Sequence, residues 1–160
     1  MDRIKTILAP TDFSELSQIG LRHALELARF QGAKVIVYNV ADYREVIPYQ
    51  ERSTPHFKHV KEFLNNRRNR IDKFLRRAFS ELISQVELQL EANIGIAYER
   101  IVQKAEKEGV DMIVMSTHGR TGLAHMLIGS VTEQVVRHAT CPVFSVRPQK
   151  ETRLAEARAL

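Results

Sequence analysis

The sequence predicts an α/β domain with a single open, five-stranded parallel sheet of order 3-2-1-4-5 and helices on both faces. Three observations predict it. Short apolar runs of strand length alternate five times with segments of helical periodicity, the pattern of β–α–β units joined by right-handed crossovers. The runs near residues 4–9, 35–40 and 112–116 are the most apolar, as strands buried on both faces should be. Val86-Glu87-Leu88-Gln89-Leu90 instead alternates apolar and polar, as an edge strand does, and the order 3-2-1-4-5 satisfies both patterns.

The elements follow in turn. Residues 4–9 form the first buried strand, stopped by Pro10. Asp12 and Ser14 offer helix caps, and Glu15 stands three residues after Asp12 as in a capping box. The helix then runs to about Phe30 with Leu21, Ala24, Leu25 and Ala28 on one face, and Gly32 stops it. Val35 to Val40, short and β-branched, is the second strand; residues 41–56, with Pro48 and Pro55, are expected to be irregular. A long helix covers roughly 57–84, with Val60, Leu64, Ile71, Leu75, Ala78 and Leu82 at helical spacing beside Phe63, Phe74 and Phe79. After the edge strand comes a helix over about 97–108 ended by Gly109, then Met112 to Ser116 as the fourth strand. A last helix opens near Ser130 and ends near His138, with Val131, Val135, Val136 and Ala139 on one stripe. Pro142 to Val146 is the fifth strand, its proline in the first position where a ladder tolerates it. Residues 1–148 make one domain, and 149–160 a polar tail.

Composition narrows the functional classes. The chain of 160 residues is 44% hydrophobic and 27% charged, as a soluble one-domain protein is. No apolar run reaches the roughly 20 residues of a membrane span, and residues 1–5 carry no signal-peptide pattern. The single Cys141 excludes an internal disulfide framework, and a cytoplasmic location is expected. The net charge is +5, with much of the excess at Arg67, Arg68, Arg70, Lys73, Arg76 and Arg77. The phenylalanines of that helix lie on its apolar stripe, so the basic side is read as a solvated face rather than a nucleic-acid platform.

The most informative stretch is Ser116-Thr117-His118-Gly119-Arg120, followed by Gly129-Ser130-Val131-Thr132. Three of the seven glycines fall between 119 and 129, after an apolar strand and before a helix. Glycines let backbone N–H groups approach an anion, and the unpaired N–H groups and dipole of a helix start favour negative charge. Ser130 and Thr132 add hydroxyl donors. In the predicted sheet the chain reverses between the first and fourth strands, the place where such sheets bind ligands. Asp12 follows the first of these strands and the glycine loop the other. Asp12 can therefore serve as an N-cap or accept a hydrogen bond from a ligand.

The chain resembles the universal stress protein family, whose ATP-binding members carry Gly-x2-Gly-x9-Gly-(Ser/Thr). Gly119 and Gly129 match the second and third glycines, with nine residues between them and Ser130 after; Ser116 stands at the first. Serine is small enough for close backbone approach but takes positive φ less freely than glycine. Similarity extends to residues 7–14, the strand 35–40 and His138-Ala139-Thr140-Cys141-Pro142-Val143. The resemblance implies a Rossmann-like fold of the same strand order and a site for ATP or another adenine nucleotide, with Mg2+ on the phosphates. Within it the backbone of Val40 faces adenine, Asp12 accepts a hydrogen bond from the adenine amino group or a ribose hydroxyl, Pro10 and Thr11 shape the pocket edge, and Met115 and Ser116 line the ribose side. Gly119, Gly129, Ser130, Val131 and Thr132 cradle phosphate, with His118 and Arg120 in the same loop. It also implies a homodimer paired along 143–146.

The loop is not a Walker A motif, since no Gly-Lys-Ser/Thr occurs, and His118 and His125 lack metal-ligand spacing. No residue in the motif is a recognisable general base, so hydrolysis is expected to be slow at most. The expected function is a nucleotide-dependent stress regulator or sensor. The alternative is a nucleotide-free interaction module of the same fold.

Overall fold

The structure is a computed structural model that describes residues 3–46, 57–117 and 128–147. Its elements are β1 (Thr6–Pro10), α1 (Glu15–Gln31), β2 (Lys34–Ala41), α2 (Tyr43–Val46), α3 (Phe57–Ile83), β3 (Glu87–Ile94), α4 (Ala97–Glu108), β4 (Met112–Ser116), α5 (Ser130–His138) and β5 (Val143–Val146). The strands form one parallel sheet in the order β3-β2-β1-β4-β5. The expected architecture is the observed one. The tail and the middle of the glycine loop lie outside the described residues.

Alternation along each strand divides the interior into two cores. Ile7, Ala9, Val35, Val37 and Val114 point to the face covered by α1 and α3, where they meet Leu21, Leu25, Ile71 and Leu75. Leu8, Ile36, Tyr38, Ile113 and Met115 point the other way, against Ile101 and Ala105 of α4 and Val135 of α5. Period-two alternation with apolar residues in both phases is what a sheet buried on both sides requires. A surface clamp ties β1 to the start of β4 at the amino end of the sheet. There Asp111 Oδ2 accepts from the backbone N–H groups of Lys5 and Thr6 at 2.7 and 2.8 Å, and these bonds hold its carboxyl below the usual range.

Several local expectations change. Ser14, not Asp12, caps α1: its Oγ accepts from Ser17 N at 3.0 Å. Asp12 cannot cap because Phe13, at φ 65°, turns the chain between it and the helix, so its Oδ1 accepts from Ser14 N and Oγ instead. The segment after β2 contains the short helix α2, held by Asp42, whose carboxyl lies at about pKa 2 beside the Arg44 guanidinium. β3 reaches Ile94 rather than stopping near Leu90, because every residue of it has a β2 partner. In α5 the inward residues are Thr132 and Val135; Val131 and Val136 face outward, 37% and 49% exposed.

One glycine of α1 escaped a sequence-level explanation. A Cβ added at Gly20 would sit 2.6 Å from Ser116 N and 2.8 and 2.9 Å from the Met115 carbonyl carbon and Cα. The helix therefore lies directly on the backbone of β4. All three neighbours are main chain, so relief requires moving a strand. Gly20→Ala should destabilise the fold by about 2 kcal/mol through overpacking. Chemical denaturation of the variant beside the parent checks this, since ordinary helix propensity predicts the opposite sign.

Candidate functional site

At the carboxyl ends of β1 and β4 the structure has a pocket of about 270 Å³. Pro10, Thr11 and Asp12 form one wall, Met115 and Ser116 the next, and Gly129 to Thr132 at the start of α5 the rim. Val40 and Tyr38 of β2 contribute from beneath. Ten of the thirteen residues expected from sequence are thus brought together. The other three, His118, Gly119 and Arg120, lie outside the described residues. Sequence reading missed Ser17, Tyr38, Ala97 and Ile101, which also line the pocket. Tyr38 was legible as the residue two before Val40, on the same side of the strand. Ala97 and Ile101 needed the packing of α4 to be seen.

The polar groups around the pocket have definite hydrogen-bond roles. Ser17 Oγ gives its one proton to Ser14 O at 2.8 Å, so in the 2.9 Å contact between Thr11 Oγ1 and Ser17 Oγ the threonine is the donor. Thr11 Oγ1 also accepts from Phe13 N at 3.1 Å. Thr132 Oγ1 donates to Ser116 O at 3.0 Å, both residues being buried. Through this bond Thr132 fastens α5 to β4 while also lining the pocket. The hydroxyl protons of Thr11, Ser17 and Thr132 are all engaged within the protein. The exposed Ser130 and the backbone at the start of α5 are left as candidate donors for a ligand.

The helix start is suited to that task. Gly129 is the N-cap of α5 at φ −69° and ψ 151°, with no side-chain cap bond. Gly129 N donates to Thr117 O at 2.6 Å and Gly129 O accepts from Glu133 N at 2.9 Å, which pins the cap residue itself. The opening turn thus faces the pocket with N–H groups that no N-cap side chain covers. Ser116 closes the ladder of β4 opposite Val146, and Phe13 is the single non-glycine residue with positive φ among those described. Serine at 116 accordingly carries none of the left-handed strain that its replacement of a glycine would suggest.

The floor is apolar. Tyr38 is 2% exposed, and burial raises its phenol above the ordinary value, with the Asn93 hydrogen bond opposing; the ring stays neutral. Cys141, packed beneath the α4 and α5 side, also has its thiol raised by burial, as a small apolar core residue should. Among the described residues no cluster of three or more His, Cys, Asp or Glu side chains forms a metal site.

Behind the Asp12 turn lies a second feature. Arg67 is 7% exposed, with its guanidinium 5.7 Å from the Phe13 ring centroid and 5.0 Å from that of Phe63. The Arg70 guanidinium lies 4.1 Å from the same Phe13 ring centroid. This corrects the reading of the basic helix as a purely solvated face. The phenylalanine that interleaves with these arginines comes from the β1–α1 turn, far away in sequence. Holding Phe13 left-handed costs about 1–2 kcal/mol, which such contacts offset.

A parallel sheet wound on both sides, with a pocket at its switch point rimmed by a helix start, defines a Rossmann-like α/β protein with a candidate small-ligand site. Residues 3–147 match the sequence profile of the universal stress protein family, and the chain belongs to that family of stress-response proteins. Among its relatives, universal stress protein MJ0577 of Methanocaldococcus jannaschii is 34% identical, over 89% of this chain and 94% of its own. The solved structure of MJ0577 superposes with a TM-score of 0.67 at 33% identity, covering 94% of this chain and all of that one (100%). Universal stress protein UspA from Lactobacillus plantarum gives 0.73 at 26% identity, over 92% and 100% of the two chains. A universal stress protein in complex with cAMP shares the fold at a TM-score of 0.63 and 20% identity, over 91% of this chain and 98% of its own. No helix among the described residues is long and apolar enough to cross a membrane.

The Thr132–Ser116 bond yields a prediction. Thr132→Val keeps shape and volume but removes the donor, and should lower stability by about 1 kcal/mol. Urea denaturation checks it; no change would mean that the bond does not fasten α5 to β4.

Proposed function

We propose that this protein binds an adenine nucleotide, ATP foremost, with Mg2+ carried on its phosphates, and acts as a sensor in the stress response. The supporting observation is the convergence of Asp12, Val40, Ser116 and the start of α5 on one pocket at the switch point. Its 270 Å³ suits a base with its sugar, and the apolar floor of Tyr38, Ile101 and Met115 suits a flat heterocycle. Phosphates would lie at the rim, on the uncapped N–H groups of α5. Cyclic AMP in the complexed relative is itself an adenine nucleotide carried by this fold. Asp12 is the one carboxylate among the described lining residues and Ser14 engages it, which supports binding with at most slow hydrolysis.

The test is the nucleotide content of protein purified without added ligand, followed by calorimetric titration with ATP and Mg2+. The backbone of Gly129 is one that any residue adopts, so Gly129→Val fills the rim without strain. It should weaken binding at least about 100-fold while the melting temperature stays within a few degrees. Retained affinity in that variant would sink the site. An empty protein that ATP does not bind would favour the nucleotide-free interaction module.

The same reading includes a homodimer through β5. That strand is an edge, paired with β4 alone among the described strands, and Phe144 on it is 46% exposed. An apolar edge left open invites pairing with another chain. Sedimentation at micromolar protein should show a dimer, and Phe144→Lys a monomer. A monomeric parent protein would overturn the assignment.

A further inference from the structure

Phe13 immediately follows Asp12 and is the described non-glycine residue held at positive φ, 65°. Its ring meets Phe74 edge-to-face at 5.7 Å and 87°, and carries Arg67 and Arg70 at 5.7 and 4.1 Å. Arg67 Nη2 donates to Glu45 Oε2 in α2, while its buried Nη1 has no hydrogen-bond partner among the described residues. On the pocket side, the same turn is tied down by Thr11. Asn39 Nδ2 donates to Thr11 O at 2.8 Å, and Thr11 Oγ1 accepts from Phe13 N.

These contacts join three things that the sheet alone does not join. The turn carries Asp12 into the pocket, α3 carries Arg67 and Arg70, and α2 carries Glu45. A left-handed residue has no gradual route back to the common backbone regions, so its release re-aims the neighbouring Asp12 in one step. A buried guanidinium that loses its carboxylate is likewise strongly disfavoured.

We propose that Arg67 is a positioning residue for the pocket. Together with Arg70 it holds Phe13 left-handed and so aims Asp12 at the ligand, and through Glu45 it couples pocket occupancy to α2 and the amino-terminal half of α3. The ligand half of this inference rests on the adenine-nucleotide reading above. Signalling would then emerge on the face of the sheet opposite the pocket, where α3 is exposed and basic.

Arg67→Met and Arg70→Met test it, each measured for melting temperature, calorimetric affinity for ATP with Mg2+, and amide hydrogen exchange with and without ATP. Methionine fills the Arg67 site without a buried charge, and Arg70 is exposed, so its variant folds even if the other does not. Arg67→Met is expected to bind ATP about tenfold more weakly, and Arg70→Met a few-fold more weakly, at little-changed melting temperature. Exchange at the Phe13 and Ser14 amides should quicken in both unliganded variants. In the parent, ATP should slow exchange across residues 60–70, and Arg67→Met should abolish that effect. Parental affinity and exchange in the variants would overturn the proposal, as would ATP binding that leaves residues 60–70 unaltered. If the parent binds no ATP, the nucleotide reading fails by itself. The unliganded exchange then decides the positioning role: faster Phe13 and Ser14 amides support it and unchanged ones refute it.

Discussion

The backbone-to-backbone approach of α1 to β4 at Gly20 is the constraint on which the pocket depends. With no side chain at that position, the helix settles onto Met115 and Ser116 and fixes the depth at which β4 ends. The carboxyl end of β1 feeds the same helix through the Thr11–Ser14 turn. The two strand ends that flank the switch point are thus referenced to one rigid rod. Close-packed interiors transmit displacement, so a shift of that rod reaches the wall between Thr11 and Ser116.

Around this frame the polar groups divide into those that build the site and those that face it. Thr11, Ser17 and Thr132 spend their protons on neighbours inside the protein. Buried hydroxyls left unpaired would be costly, so their internal engagement is what permits an apolar floor and a polar rim to coexist within 270 Å³. The donors left facing the pocket are then those of the backbone at the start of α5, which need no side-chain ordering to be in place.

The basic helix acquires a different meaning once Phe13 is seen among its arginines. Arg67 and Arg70 belong to the architecture of the pocket's far side, whereas Arg76 pairs with Asp72 on the same helix at 2.8 Å. The positive charge of α3 is therefore partly structural. The pocket lies on one face of the β1–α1 turn and the Arg67–Phe13–Arg70 contacts on the other.

Strand periodicity, the Gly32 and Gly109 stops and the edge character of β3 were all determined by the sequence, because each depends on local backbone preference or on alternation that a chain carries within itself. Gly32 and Gly109 indeed take φ 64° and 57°. The switch point followed from strand order, and with it the meeting of Asp12 with the glycine loop; Val40 and the other expected pocket residues came from the family resemblance. Tertiary structure alone decided the rest. That Ser14 displaces Asp12 as the cap depends on Phe13 turning left-handed, and Phe13 does so in the company of side chains more than fifty residues away. That the Thr132 hydroxyl fastens α5 to β4 depends on where the Ser116 carbonyl stands. That Ala97 and Ile101 reach the pocket depends on how α4 lies across the sheet. Each of these is a contact between distant segments, and no local pattern in one segment records the position of the other.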